Sequence, residues 1–299
     1  MTEAGVAREV DRTTVTGEVL RSFAGTPDAR LRQCLEVLTR HLHDAVRELE
    51  PTLAEWRATI DFLTATGQAC DDTRQEFVLL SDVLGVSSLV ESLTRRAPGA
   101  TEPTVLGPFH QVASPPRALG DSLDELGKPD RGLVSGRVLG TDGRPLPGAQ
   151  VDVWQADEAG SYDVQQPDRQ PPGNGRGLFT ADGDGRFRFT TVVPSHYPIP
   201  TDGPVGRLLL ATGRHPYRPA HIHFLVTAPG FAPLTTHLFV AGSPYLDSDA
   251  VFAVKASLIR DFARVDDPDT AAAHGLPNPY RHASIDLVLA PDEAGPRPG

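Results

Sequence analysis

Cysteine is almost missing from this 299-residue chain: there are two, Cys34 and Cys70, both in the N-terminal third. They sit in stretches that read as helical, so no disulfide framework is called for and reduced thiols packed as small apolar residues are expected. Long hydrophobic runs are also missing. None approaches the roughly 20 apolar residues of a membrane-spanning helix, and Met1-Thr2-Glu3-Ala4-Gly5 lacks a basic segment leading into an apolar one. A soluble cytoplasmic protein with no membrane insertion is therefore expected. Positive charge is scarce: 28 Lys and Arg face 39 Asp and Glu, a formal net charge of -11, and the longest basic run is Arg95-Arg96. Such a surface repels phosphate backbones and anionic lipid, which argues against a nucleic-acid partner.

Turn formers, in contrast, are abundant. The 28 glycines and 28 prolines make up close to a fifth of the chain, against roughly 12 per cent in average proteins. They are unevenly placed. Residues 1 to about 95 hold few of them, and Leu31, Leu35, Leu38, Leu42, Val46 and Leu49 recur at helical spacing. Thr26 ahead of Pro27 and Asp28 reads as an N-cap, and Pro51 as a stop. Trp56, Ile60 and Leu63 mark a second helix ending at Gly67, and Phe77 to Leu93 a third helical segment. Residues 96–132 form a long connection with Pro98, Pro103, Pro108, Pro115, Pro116 and Pro129, which neither helix nor central strand accepts.

From residue 133 to 299 short apolar segments alternate with turn signals: Leu133 to Leu139, Ala149 to Gln155, Phe187 to Val193, His221 to Thr227, His237 to Val240 and Ser284 to Leu289. That punctuation predicts an antiparallel β-sandwich. Val251 to Phe262 reads as a helix, and an acidic, Pro-rich tail closes the chain. The expected fold is thus mixed α and β: a helical region over 1–95, a connection over 96–132 and a β-sandwich over 133–299.

Within that sandwich, His221 and His223 are separated by one residue and followed by Phe224-Leu225-Val226. In a strand both imidazoles point the same way, so one metal ion can take both. Alone, the pair is better explained by a half-buried strand whose histidines bond to backbone. A 2-His-1-carboxylate triad fits poorly, because the residue after the spacer is a histidine rather than a carboxylate. Tyrosine remains as a further donor, and of the five present, Tyr162 and Tyr197 lie in unusual polar or Pro-rich surroundings.

Three runs taken together identify a family. They are Gly160-Ser161-Tyr162 after the aromatic strand; Tyr197-Pro198-Ile199-Pro200-Thr201-Asp202-Gly203-Pro204-Val205-Gly206; and Gly213-Arg214-His215-Pro216-Tyr217-Arg218-Pro219-Ala220-His221-Ile222-His223-Phe224. They resemble the intradiol ring-cleaving dioxygenases, and the likeness extends to Leu106-Gly107-Pro108-Phe109 and the N-terminal helices. Thr236-His237-Leu238-Phe239 and the run Tyr245 to Phe252 are most similar to the hydroxyquinol-cleaving members, catechol-cleaving ones usually carrying Gln where His237 stands. The resemblance implies a non-haem Fe(III) held by Tyr162, Tyr197, His221 and His223. It also implies a small aromatic diol or triol and O2 as substrates, with Tyr197 accepting a substrate proton and Arg218 stabilising negative charge on the ring. The implied reaction converts hydroxyquinol to maleylacetate, with catechol or chlorocatechol cleavage to muconates as the alternative.

By the same resemblance Leu79, Asp82, Val105, Phe109, Ile199, Pro200, Arg218, His237 and Val251 line the ring-binding cavity. Asp82 would meet a third ring hydroxyl, or else simply solvate its helix; His237 would support the metal ligands, or else pack beneath them. Singly, every one of these residues has an ordinary structural explanation: Tyr162 as a core aromatic, Tyr197 as packing in a proline loop, Arg218 as a surface charge. A reading of another class also stands, since Val134 to Trp154 resembles the transthyretin-like modules that are non-catalytic sandwiches. Finally, the stripe from Leu31 to Leu49 suggests a homodimer through the N-terminal helices, as the resemblance also implies, with room for a lipid at the interface. The alternative is a helix packed on its own β-domain.

Overall fold

The computed structural model describes residues 10–71, 74–93, 97–110, 113–128 and 131–292, and the chain falls into two compact units, 1–64 and 65–299. The acidic tail lies largely outside the described residues. The first unit holds α1 (Val15–Ser22), α2 (Ala29–Leu49) and most of α3 (Leu53–Gln68). Asp28, not Thr26, caps α2: its carboxylate accepts the amides of Arg30 and Leu31 at 2.8 and 3.0 Å, satisfying donors that a helix start leaves open. The helix ends at Glu50, ahead of Pro51, in a left-handed conformation. Its predicted stripe is exposed, with Leu31, Leu38, Leu42, Val46 and Leu49 each half accessible or more.

The third helical segment belongs to the second unit and is two helices, α4 (Glu76–Val83) and α5 (Val86–Leu93). Gly85, with φ of +72°, turns the chain between them. The remainder carries β1 (Arg131–Gly140), β2 (Gln150–Gln155), β3 (Arg176–Thr180), β4 (Arg186–Val192), β5 (Tyr197–Pro198), α6 (Pro204–Ala211), β6 (Tyr217–Arg218), β7 (His221–Thr227), β8 (Leu234–Val240), β9 (Ile259–Arg260), β10 (Ala263–Val265), α7 (Pro268–Ala273), β11 (Tyr280–Ser284) and β12 (Leu287–Leu289).

Two five-stranded sheets result. One runs β3-β2-β7-β8-β9; in the other β1 is flanked by β4 on one side and by β11 and then β12 on the other, with β10 beyond β11. Alternation puts Phe179 of β3, Phe187 and Phe189 of β4 and Phe224 of β7 between them, the rings meeting at centroid distances of 5.3 to 6.3 Å. The sandwich is therefore as expected, but the sheets are mixed. β1 pairs in parallel with β11 and β12, and β8 with β9. The single last strand expected over Ser284 to Leu289 is interrupted at Ile285. There the carbonyl presses on Gly136 so closely that a β-carbon would stand 1.8 Å from it.

The helix expected from Val251 to Phe262 does not form. Phe252 adopts φ of +57°, the Asp249 carboxylate takes the amides of Val251 and Ala253, and the segment ends in a short 3-10 turn and β9. The Pro-rich connection is stitched across both sheets by backbone bonds: Thr101 to Val288, Thr104 to Thr235 and Leu123 to Thr190, each between 2.8 and 3.0 Å. Its glycine and prolines keep it irregular while its amides find partners. Among the described residues no helix is long and apolar enough to cross a membrane.

Candidate active site

Strand β7 divides its side chains cleanly. Ile222, Phe224 and Val226 enter the sandwich core, which leaves His221 and His223 on the opposite face. Register then selects their neighbours: Trp154 of β2 and His237 of β8 flank His223, and Phe239 stands opposite His221. Trp154 lies almost parallel to the His223 ring at 4.7 Å, and His237 packs 4.1 Å from it. This face is roofed rather than open, because Gly107 of the connection approaches so closely that a β-carbon there would meet His223 at 3.2 Å.

Two tyrosines complete the cluster, Tyr162 from the loop after β2 and Tyr197 from β5. The Tyr162 hydroxyl is 3.1 Å from His223 Nε2 and 3.4 Å from the Tyr197 hydroxyl, while His223 Nε2 and His221 Nε2 are 3.1 Å apart. All four residues are buried. His221 Nδ1 donates to the Pro219 carbonyl at 2.7 Å, which leaves its Nε2 as a lone pair directed into the cluster. Burial pushes His221, His223 and His237 well below the usual histidine range, so all three are neutral and able to donate lone pairs. Burial, then the neighbouring Tyr197, raises Tyr162 well above the ordinary phenol value. Two phenol oxygens and two imidazole nitrogens converging at 3.1 to 3.4 Å in a buried space are a donor set suited to a highly charged cation. The ligand atoms of His221, His223 and His237 also lie within 4.8 Å of one another. His237, however, has its Nδ1 tied to the Thr104 hydroxyl, and its Nε2 has no partner.

Arg218 is buried beside these donors. Its Nη1 reaches His221 Nε2 at 3.1 Å and its Nε donates to Asp249 at 3.2 Å, while Nη2 has no partner. Burial opposes its charge, but Asp249 and the tyrosine oxygens outweigh that and hold it more basic than an ordinary arginine. Asp82 is 2 % exposed with Oδ1 unpartnered, so it is no solvated helix carboxylate. Burial raises its pKa, partly offset by Ser87 and by Arg218. It lines a cavity of about 630 Å³ together with Val105, Gly107 and His110. Leu79, Phe109 and Pro200 line a second cavity of about 380 Å³, and Ile199 and Val251 are buried. Phe109 stacks on Tyr162 at 4.4 Å.

Several residues around the cluster carried no flag in the sequence. Arg176, fully buried, bonds Asp163 through Nε at 2.9 Å and the Phe109 carbonyl through Nη1 at 2.9 Å, which ties the residue after Tyr162 to the residue stacked on it. His110 bonds Asp152 at 3.0 Å and packs on Trp154. Alternation of Asp152 with Trp154 on β2 was a signal for that contact; Asp163 and Arg176 offered none.

The family model described as "Dioxygenase" matches residues 114–291, and that described as "Catechol dioxygenase N terminus" matches residues 28–102. The chain is 53% identical over 274 residues to a hydroxyquinol 1,2-dioxygenase of Rhizobium sp. (strain MTP-10005), covering 91% of this chain and 93% of that one. A solved hydroxyquinol 1,2-dioxygenase from Pseudomonas putida DLL-E4 superposes with a TM-score of 0.84 at 47% identity, covering 94% of this chain and 99% of that one. A catechol 1,2-dioxygenase from Acinetobacter sp. ADP1 superposes with a TM-score of 0.81 at 28% identity, covering 99% of each.

Proposed function

The chain belongs to the intradiol ring-cleavage dioxygenases, a family that uses non-haem iron, and from that premise we propose that it opens hydroxyquinol (benzene-1,2,4-triol). The ring breaks between its two adjacent hydroxylated carbons, and both atoms of O2 enter the product, maleylacetate. The observation that carries this reading is the buried meeting of two phenol oxygens and two imidazole nitrogens beside an arginine with a free guanidinium edge.

Tyr162, Tyr197, His221 and His223 would hold Fe(III), which when bound supplies the charge that acidifies phenols and makes the diol reactive toward dioxygen. The protein does the rest. Tyr197 Oη takes a proton from the incoming diol, and Tyr162, clamped by Phe109, stays in place as the constant anion. Arg218, charged at every working pH, offers Nη2 to the negative charge that grows on the ring as it is attacked. Gly107 covers His223 and Phe109 covers Tyr162 on this face. Asp82 favours the triol over catechol: its unpartnered Oδ1 is an acceptor for a third hydroxyl, and catechol leaves it unmet. The higher identity to the hydroxyquinol-cleaving relative than to the catechol-cleaving one supports the same choice.

The test is the visible spectrum of the iron-loaded protein, titrated anaerobically with hydroxyquinol and with catechol before oxygen is admitted. A coloured protein whose band shifts with hydroxyquinol and bleaches to a ring-opened acid supports the reading. Faster turnover of catechol would keep the reaction and reject the triol. A colourless protein that consumes no oxygen would favour an inert sandwich module instead. We also infer that two chains pair through α2, whose apolar stripe is exposed from Leu31 to Leu49. A monomeric sedimentation coefficient for the native protein would refute that pairing.

A further inference from the structure

We infer that Asp249 is a positioning residue for Arg218: it sets the plane of the guanidinium so that Nη2 faces the substrate. This rests on the reading that Arg218 acts on the reacting ring. Asp249 lies 31 residues away in sequence, yet its Oδ1 accepts Arg218 Nε at 3.2 Å, and both side chains are almost completely buried. The carboxylate is itself immobilised. Oδ1 also takes the Val251 amide at 3.3 Å and Oδ2 takes the Ala253 amide at 3.1 Å, so backbone fixes the carboxylate and the carboxylate fixes the arginine. A further backbone bond, Ala250 to the Tyr217 carbonyl at 3.1 Å, stitches the same loop to the strand that carries Arg218.

A guanidinium is planar, so contacts at two of its nitrogens define the direction of the third. Nε is held by Asp249 and Nη1 points at His221, which leaves Nη2 as the one nitrogen that is buried and unbonded. Without Asp249 the group is free to swing about its last torsion, and a full charge would stay enclosed with no bonded counterion. Asp249 bonds Arg218 and the amides of Val251 and Ala253, and its charge also helps to raise the pKa of the buried Asp82. Its only side-chain hydrogen-bond partner among the described residues is Arg218, so its hold on the guanidinium is the effect that the Arg218 background isolates.

The experiment is a double-mutant cycle on the iron-loaded enzyme: Asp249→Asn, Arg218→Met and the pair. It reads kcat, KM, the anaerobic dissociation constant for the same diol from the visible band, and Tm. Asp249→Asn is expected to lower kcat by about 10- to 100-fold, the scale of a misplaced group near the reacting atoms. The anaerobic dissociation constant should change by less than about 3-fold, because the charge that Arg218 meets grows only in the transition state. In the Arg218→Met background the same change should cost less than about 2-fold in kcat, since its target is gone. Asp249→Glu, which keeps the charge but moves it by one methylene, gives the same readout should the asparagine variant not fold. A fall in Tm with unchanged kcat, or costs that multiply in the pair, would overturn the positioning role. A wild-type enzyme that cleaves neither diol would instead overturn the proposed function on which it stands.

Discussion

Gly160 is the point at which one methyl group should dismantle the proposed metal site without unfolding the protein. It ends the turn whose carboxylate, Asp157 Oδ1, gathers the amides of Ala159 and Ser161 at 3.0 and 2.9 Å, two residues before Tyr162. Its φ is +82°, and a β-carbon there would stand 2.8 Å from the His196 carbonyl and 2.9 Å from Tyr197 Cβ. The two tyrosine-bearing segments therefore touch through a glycine, which gives the Gly-x-Tyr spacing a physical cause. Alanine would suffer a left-handed backbone, costing about 1–2 kcal/mol, and a clash costing about 1–3 kcal/mol.

Together these consume about 2–5 kcal/mol of a typical total of 5–15, so the chain should still fold. Relief of the clash requires the segments to part by roughly 0.5–1 Å, given ordinary contacts of about 3.5–4.0 Å. The Tyr162 and Tyr197 hydroxyls, now 3.4 Å apart, would move with them, against a tolerance of about 0.2 Å in metal–ligand distances. Iron retention after dialysis against a chelator, together with the urea midpoint, measures both effects. Gly183→Ala is the control, since nothing lies within 4 Å of its β-carbon position and its φ is not positive. If Gly160→Ala keeps full iron and the native midpoint, the close approach of the two segments is not what holds the tyrosines.

Arg176→Met should destabilise by about 3–5 kcal/mol in urea, because it strands the buried Asp163 carboxylate, and adding Asp163→Asn should recover part of that loss. Removing the metal should make stability fall with acid. His221, His223 and His237 sit below their unfolded value of 6.5, so their contribution is complete above that pH and is lost as pH falls toward their folded values. The slope reaches at most about 4 kcal/mol per pH unit for three protons, and a Tm that stays flat from pH 8 to 5 would contradict it. Asp82 behaves oppositely. Its folded pKa is raised above 3.8, so its contribution is present below that value and lost as pH rises through the folded one. Asp82→Asn should accordingly raise Tm at neutral pH, with the gain vanishing in strong acid, while hydroxyquinol loses its advantage over catechol in kcat/KM.

What could be read before folding was whatever the chain encodes locally. The shared direction of His221 and His223 follows from strand alternation alone, and the stripe from Leu31 to Leu49 from a 3.6-residue period, and both are found. The failures have long-range causes. Val251 to Phe262 has a helix-like apolar pattern, but Asp249, turned toward Arg218, takes the amides a helix would need. Ser284 to Leu289 looks like one strand until β1 claims both halves and Ile285 meets Gly136. Gly85 was legible in principle as a break, yet the apolar run on either side of it reads as continuous. The same divide runs through the site. The side chains proposed to bind iron stand in motifs because their spacing is fixed by short loops and strands, whereas Asp249, Asp163 and Arg176 are single charges whose meaning appears only on burial. An isolated carboxylate in a sequence is by default a solvated one. It becomes part of a catalytic apparatus only when the fold removes its water and supplies one cation in exchange, and the partner that does so can lie anywhere in the chain.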